Sequence, residues 1–203
     1  GHGYFPIDVT EPDAANQAML AAIQNFGGLD ILISNAGAAH AGPMLGISNE
    51  ELRNGFELNF FSHYSFSTEA AKILKDQNRG GQILFNISKQ AVNPGKNFGA
   101  YGLPKATTFF LMRQLALELG SDGIRVNGIN ADRIRSGLLT DEFISSRAKS
   151  RGVSESEYMA GNLLNKEVTA EHVADAFTAL ACAESTTGHV MTVDGGNIEA
   201  SLR

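Results

Sequence analysis

Four short apolar runs, at residues 29–34, 82–87, 124–129 and 189–193, limit what this chain can fold into more than any other feature. Each has the length of a strand but little of the in-out alternation that a half-exposed strand shows. A strand apolar on both faces has to be covered on both, which is the usual condition of a parallel sheet. Helical patterns lie between the runs. Residues 48–78 read as one or two helices with an Asn-Glu-Glu start, and 100–119 as another. Residues 169–182 read as a capped amphipathic helix opening Thr-Ala-Glu-His. Before them, Tyr4-Phe5-Pro6-Ile7-Asp8-Val9 reads as a strand that begins almost at once, followed by a helix start at Glu11-Pro12-Asp13 and a helix stop at Gly27-Gly28. Strand and helix in alternation imply an α/β fold, a doubly wound parallel sheet, in one domain spanning 1–203. The chain shows no repeat, low-complexity stretch or linker. Its most polar region, about 140–157, falls between a strand and a helix and reads as a mobile flap, with a substrate lid expected over 140–162.

Composition removes several function classes. A net charge of -6 and a pI near 5.3 argue against a nucleic-acid footprint, the basic residues being scattered apart from Arg147, Lys149 and Arg151. The single cysteine, Cys182, excludes an internal disulfide framework and suits a reducing compartment. No segment is apolar enough to cross a bilayer, so a cytoplasmic address is expected, with no membrane partner. His2, His40, His63, His172 and His189 lack the spacings that put two metal ligands on one face, so no metal is expected. Two helices carry aromatic and apolar side chains on more than one face: Phe56, Phe60, Phe61, Tyr64 and Phe66 on one, Phe109, Phe110, Leu111 and Met112 on the other. Such surfaces are buried either in the core or against a second subunit, and a homo-oligomer built through 48–78 and 100–119 is the second of those readings.

Tyr101 and Lys105 carry the chemistry. Four residues apart on a helix, they project from one face. A phenol with a pKa near ~10 is a poor base at neutral pH unless a nearby cation stabilises the phenolate. Lys105 can supply that charge. Ser88, closing the 82–87 run, can hydrogen-bond the substrate oxygen that exchanges a proton with Tyr101. A bare Tyr-x-x-x-Lys is also compatible with a half-buried tyrosine beside a solvated lysine.

The ordered set of motifs resembles the short-chain dehydrogenase/reductase family. Asp8-Val9-Thr10 is similar to the family's strand-end motif beside the adenine ring, and Asn35-Ala36-Gly37 to the loop beneath the cofactor. Asn59, Ser88, Tyr101 and Lys105 are similar to its catalytic tetrad, and Thr192-Val193-Asp194-Gly195-Gly196 to its last strand and turn. The resemblance implies a Rossmann-like domain and an NAD- or NADP-dependent oxidoreductase, NAD favoured, acting on a small-molecule substrate. Tyr101 would exchange the proton and Ser88 orient the substrate oxygen. Lys105 would lower the tyrosine pKa while bonding the nicotinamide ribose, and Asn59 would hold a water that relays protons to solvent. An asparagine bonded only to neighbouring backbone is the alternative for Asn59. The alternative for Asp8 is a turn residue capping the following helix.

Two departures from the family pattern stand out. The first βαβ unit, with its glycine-rich phosphate turn and the strand whose end selects NAD or NADP, is absent, so the chain is expected to be an N-terminally truncated piece of something longer. Where the family places Pro-Gly after the 124–129 run, this chain has Ala131-Asp132. That stretch, with Tyr101-Gly102-Leu103-Pro104-Lys105 and the C-terminal Thr186-Thr187-Gly188 region, resembles the dehydrogenase half of bifunctional aldolase/short-chain dehydrogenases. The implied substrate is lactaldehyde or a similar compound, and the implied neighbour a covalently linked aldolase domain. Asp132 either touches the nicotinamide carboxamide or substrate, or caps a turn. Arg133 and Arg135 either approach cofactor phosphate or are solvated surface arginines. A non-catalytic fragment acting through domain or subunit contacts is the competing function.

Overall fold

The apolar runs become one parallel sheet whose spatial order follows the chain. The computed structural model describes residues 1–197; the last six residues of the expected 1–203 domain lie outside the described residues. Strands β1 (Ile31–Ser34), β2 (Gly81–Asn86), β3 (Ile124–Ala131) and β4 (Val190–Val193) lie in the order β1-β2-β3-β4. Every neighbouring pair is parallel, with Ile33 opposite Leu84, Phe85 opposite Gly128 and Ile129 opposite Met191. The connections are helical: α1 (Ala14–Phe26), α2 (Asn49–Phe56), α3 (Ser62–Gln77), α4 (Gly99–Leu119), α5 (Asp141–Arg151), α6 (Glu155–Met159) and α7 (Ala170–Cys182).

Two-sided cover explains why β2 shows no alternation. Ile83, Phe85 and Ile87 face Leu74 of α3 and Met112, Leu115 and Leu119 of α4, while Leu84 faces Val173, Phe177 and Leu180 of α7. Ile83, Leu84 and Phe85 are fully buried, and side chains of this kind each stabilise by about 1.5–3 kcal/mol when removed from water. Polar residues inside β3 are satisfied by the loop that leads into β4. Asn127 donates to the Thr186 carbonyl at 2.8 Å and accepts from the His189 N–H at 3.0 Å, and Arg125 donates to the Ala183 carbonyl at 2.7 Å at the end of α7. Buried amides without these partners would cost more than the bonds return.

The predicted helix ends hold. Ser48 and Glu51 form a reciprocal capping box at α2, Gly27 closes α1 in the left-handed conformation, and the Thr169 N–H donates to the His172 ring at 3.1 Å. One expectation is corrected, that of a strand at 4–9. Residues 4–9 form no strand: β1 is the edge of the sheet, no strand stands beside this segment to share a ladder, and Pro6 lacks an N–H. In α1 the inward side is Ala14, Ala15 and Met19, whereas Ile23 and Phe26 are exposed. Within the polar stretch at 140–162, α5 and α6 are closed over their own cluster of Leu139, Ile144, Ala148, Tyr158 and Met159. Ser154 and Glu157 form a second capping box there. Its low hydrophobicity follows from the few core positions a short helical pair needs.

Aromatic surface on the central helices is divided. Phe61, Tyr64, Phe110 and Leu117 remain exposed. Among the described residues no helix is long and apolar enough to cross a membrane, and no group of three or more His, Cys, Asp or Glu could hold a metal ion.

Candidate active site

The C-terminal ends of β1 and β2 and the first turns of α4 converge on one place. β2 ends at Asn86, and two residues later Ser88, in extended conformation, accepts from the Gln90 N–H at 3.2 Å, which turns the chain away from the sheet. α4 begins at Gly99, so Tyr101 and Lys105 lie in its first two turns on the face against β2. Tyr101 is 8% exposed and Lys105 2% exposed. Pro104 between them sits in the second turn, not the first, and leaves the Ala100 carbonyl without its usual donor.

Ser88 and Tyr101 stand together on the border of one cavity, close enough for a hydrogen bond from Ser88 to act on the phenol's pKa. Burial pushes the phenol above its ordinary pKa, and the Ser88 bond works against that shift. Burial also lowers the Lys105 ammonium to about 8. This arrangement differs from the expectation that Lys105 depresses Tyr101. Lys105 Nζ stands 5.8 Å from the centre of the Tyr101 ring and donates to the Asn86 carbonyl at 3.0 Å, so its charge is directed at the end of β2 rather than at the phenol oxygen.

Asn59 lies in a π-helical turn, Glu57–Phe61, that links α2 to α3, a wider turn often found at functional sites. Its amide donates to the Ala38 carbonyl at 2.9 Å and to the Gly55 carbonyl at 3.1 Å, and its carbonyl accepts from the Ala38 N–H at 3.3 Å. Asn59 thus grips the loop after β1 as well as its own helix, which is more than a bond to neighbouring backbone. Gly37 in that loop has no room to be anything else: a Cβ there would lie 2.8 Å from Asn59 Oδ1 and 3.6 Å from Lys105 Nζ. Asn35 is tied in as well, its side-chain oxygen accepting from Asn86 Nδ2 at 2.7 Å.

Sequence reasoning missed His63. It is 1% exposed, its Nδ1 is 2.6 Å from Ser34 Oγ, and its Nε2 is 3.4 Å from Lys105 Nζ. Burial and the Lys105 charge push its pKa down to about 3, against a backbone hydrogen bond to Ala36, so the imidazole is neutral at ordinary pH. The available signal was its spacing of four from Asn59 within an apolar helix, where a histidine needs partners.

Tyr101 stands between two cavities. One, of about 460 Å³, is lined by Ser88, Lys89, Lys96, Phe98, Asp132, Phe143 and Arg147 among others. The other, of about 600 Å³, is lined by Asn35, Gly37, Lys105, Arg135, Ala170 and Phe177. Asn86, Tyr101 and Ala131 border both. Four residues expected to contact cofactor, Asp8, Val9, Ala36 and Asp132, do not line the Gly37-side cavity. Asp8 and Val9 line neither cavity; Asp8 accepts from the Thr10 N–H at 2.9 Å and hydroxyl at 2.7 Å, the turn geometry of its alternative reading. Asp132 borders the Ser88 side, where it is 7% exposed, paired with Lys89 at 2.9 Å and Arg133 at 3.4 Å and accepting from Asn197. Three partners pull it there and away from the Gly37 side. Arg135 pairs with Asp141 and Glu167 at the surface.

Comparison with known proteins agrees with this geometry. The family model described as enoyl-(acyl carrier protein) reductase, within the short-chain dehydrogenase/reductase family, matches residues 1–197. The uncharacterized oxidoreductase YuxG of Bacillus subtilis is 35% identical over 198 residues, covering 94% of this chain and 29% of YuxG. The L-2,3-butanediol dehydrogenase of Corynebacterium glutamicum is 29% identical over 198 residues, covering 95% of this chain and 77% of the relative. The crystal structure of acetoin dehydrogenase from Enterobacter cloacae superposes with a TM-score of 0.81 at 27% identity, covering 96% of this chain and 74% of that one. This chain therefore spans less than a third of YuxG and about three quarters of the other two. With the family model matched over nearly the whole chain, the protein belongs to the short-chain dehydrogenase/reductase family and is an oxidoreductase of that type.

Proposed function

We propose that this chain transfers a hydride between a nicotinamide cofactor, NAD or NADP with NAD favoured, and a small hydroxy or carbonyl compound. The placement of Ser88 and Tyr101 together on one cavity, with Tyr101 also bordering a second that Lys105 lines, carries this reading. The Gly37 side suits a cofactor: its loop is stripped of side-chain bulk where a Cβ would collide with Asn59, and it opens onto Lys105. Asn35, Gly37, Tyr101 and Lys105 would hold the nicotinamide and ribose end there. When bound, the nicotinamide supplies the hydride acceptor or donor. Ser88 then orients the substrate oxygen, and Tyr101 takes its proton in oxidation or returns it in reduction. Lys105 keeps a positive charge beneath the ring below its pKa of about 8. Asn59 fixes the loop under the cofactor.

The names of two relatives, a butanediol dehydrogenase and an acetoin dehydrogenase, support a small hydroxy or carbonyl substrate. The resemblance to bifunctional aldolase/dehydrogenases makes lactaldehyde the first aldehyde to assay. A place in a larger protein with an aldolase domain is supported by the length of YuxG, of which this chain spans 29%. Self-association through α3 and α4 is supported by the exposed Phe61, Tyr64, Phe110 and Leu117. The test is turnover of lactaldehyde, acetoin and 2,3-butanediol by the full-length protein with NAD and NADP, followed at the nicotinamide absorbance. Loss of turnover in Tyr101→Phe supports the reading; equal rates in wild type and variant would sink it.

A further inference from the structure

We propose that the cavity on the Ser88 side selects substrates that carry an anionic group, a carboxylate or phosphate ester, beside the carbon that is oxidised or reduced. This rests on the hydride-transfer reading above and narrows its substrate class. In a chain of net charge -6, this cavity is lined by five cations and one carboxylate, Asp132. Lys89 and Arg133 are committed to Asp132 at 2.9 and 3.4 Å. Lys96, Arg147 and Arg151 remain, and none forms a salt bridge among the described residues.

Arg147 is the anchor. Its guanidinium carbon lies 5.7 Å from the centre of the Phe98 ring and 6.0 Å from that of Phe143, and the two rings meet edge-on at 5.8 Å. Its Nε is shielded from solvent and has no hydrogen-bond partner among the described residues. Ring faces fix the position of a guanidinium but offer its N–H groups no acceptor oxygen. A cation kept part-buried in this way is costly unless an anion arrives to pair with it, and the planar fork suits a carboxylate or phosphate. The arrangement is directional. Of the basic trio on α5, Arg147 and Arg151 stand four residues apart and both border the cavity, while the intervening Lys149 points elsewhere. Arg151 is itself placed by a ring, its guanidinium carbon 5.4 Å from the centre of Tyr158. A neutral substrate such as lactaldehyde would leave these charges unused.

The experiment measures kcat/KM of the full-length protein for matched pairs: 3-hydroxybutyrate against 2-butanol for the carboxylate, and glycerol 1-phosphate against 1,2-propanediol for the phosphate ester. Wild type is expected to favour the charged member of one pair, which identifies the anion, and Arg147→Gln to shrink that preference by about 10- to 100-fold, the usual range for a lost charged hydrogen bond. The exposed Lys96→Gln is expected to shrink it less, and Lys149→Gln not at all. In parallel, millimolar inorganic phosphate and acetate are tested for a rise in Tm that Arg147→Gln abolishes. Equal rates for charged and neutral members, or a preference untouched by both Arg147→Gln and Lys96→Gln, would overturn the proposal while leaving the oxidoreductase reading standing. Hydride transfer to none of these compounds, with an anion-dependent rise in Tm lost in Arg147→Gln, would overturn the small hydroxy or carbonyl substrate class and keep the anion site.

Discussion

α4 and α5 border the same cavity, yet they are held in opposite ways. α4 presses Tyr101 and Lys105 against the end of β2 and continues into the main core through Met112, Leu115 and Leu119. α5 rests with α6 on a satellite cluster of five buried side chains. Displacing α4 would disrupt the sheet; loosening α5 would cost only its local contacts, and such segments open well below the global unfolding energy. On the proposed function the contrast divides the labour, with proton transfer placed where movement is most costly and substrate contact placed where it is cheap. Relatives that act on different substrates can then share the α4 side while differing on the α5 side.

The sharpest way to break that contrast is on α4. Tyr101→Phe removes one hydroxyl and is expected to lower kcat by about 10²- to 10⁴-fold, the usual worth of a positioned acid-base group, with Tm nearly unchanged. A comparable loss of Tm would mean that the hydroxyl serves the core instead.

A smaller effect is expected beneath α4, at His63. Its folded pKa of about 3 lies below the ordinary histidine value of 6.5, so the unfolded chain binds more protons between those values. Stability therefore falls as the pH drops from 6.5 toward 3, by up to roughly 4–5 kcal/mol at the acid end. His63→Leu should flatten this part of the profile, which denaturant titrations at a series of acid pH values would read. A slope unchanged in the variant would remove His63 from the account.

Ile144→Ala probes the other side. Emptying a fully buried site costs about 2–5 kcal/mol, and the satellite position of the cluster localises that cost. Hydrogen exchange over α5 and α6 should accelerate and KM rise, while β2 and α4 stay protected. Uniform acceleration through the sheet would show that the two regions unfold as one.

The smallest expected change, about 1–3 kcal/mol of strain, comes from Gly37→Ala, whose Cβ would lie 2.8 Å from Asn59 Oδ1. Cofactor affinity measured by fluorescence titration should fall by roughly 5- to 100-fold on that scale. Unchanged affinity would place the cofactor away from Gly37.

Much of the α4 side could be read in the chain and little of the α5 side. Tyr101 and Lys105 share a face because of helical period alone, and Ser88 follows an apolar run that could only be a strand. Asn59 was conspicuous as an amide inside an apolar helix. His63, by contrast, looked like one of five scattered histidines until Ser34 and Lys105 were found against it. Arg147 and Arg151 stood out only as part of a local basic cluster, and nothing in 140–157 announced that two helices would close on Leu139, Tyr158 and Met159. The strand expected at 4–9 had the right composition and no neighbour to pair with.

The amino-acid sequence by itself determined the order of elements, the covered parallel sheet and the shared face of Tyr101 and Lys105, because hydrophobic period, capping and i, i+4 spacing act over a few residues. Only the tertiary structure decided where the charges go. Lys105 turns to the Asn86 carbonyl and to His63, 42 residues away, and Asp132 is drawn toward Lys89 and Asn197, the latter 65 residues away. Partners so distant along the chain are chosen by which groups the fold desolvates together, and a buried charge takes whatever partner lies within reach.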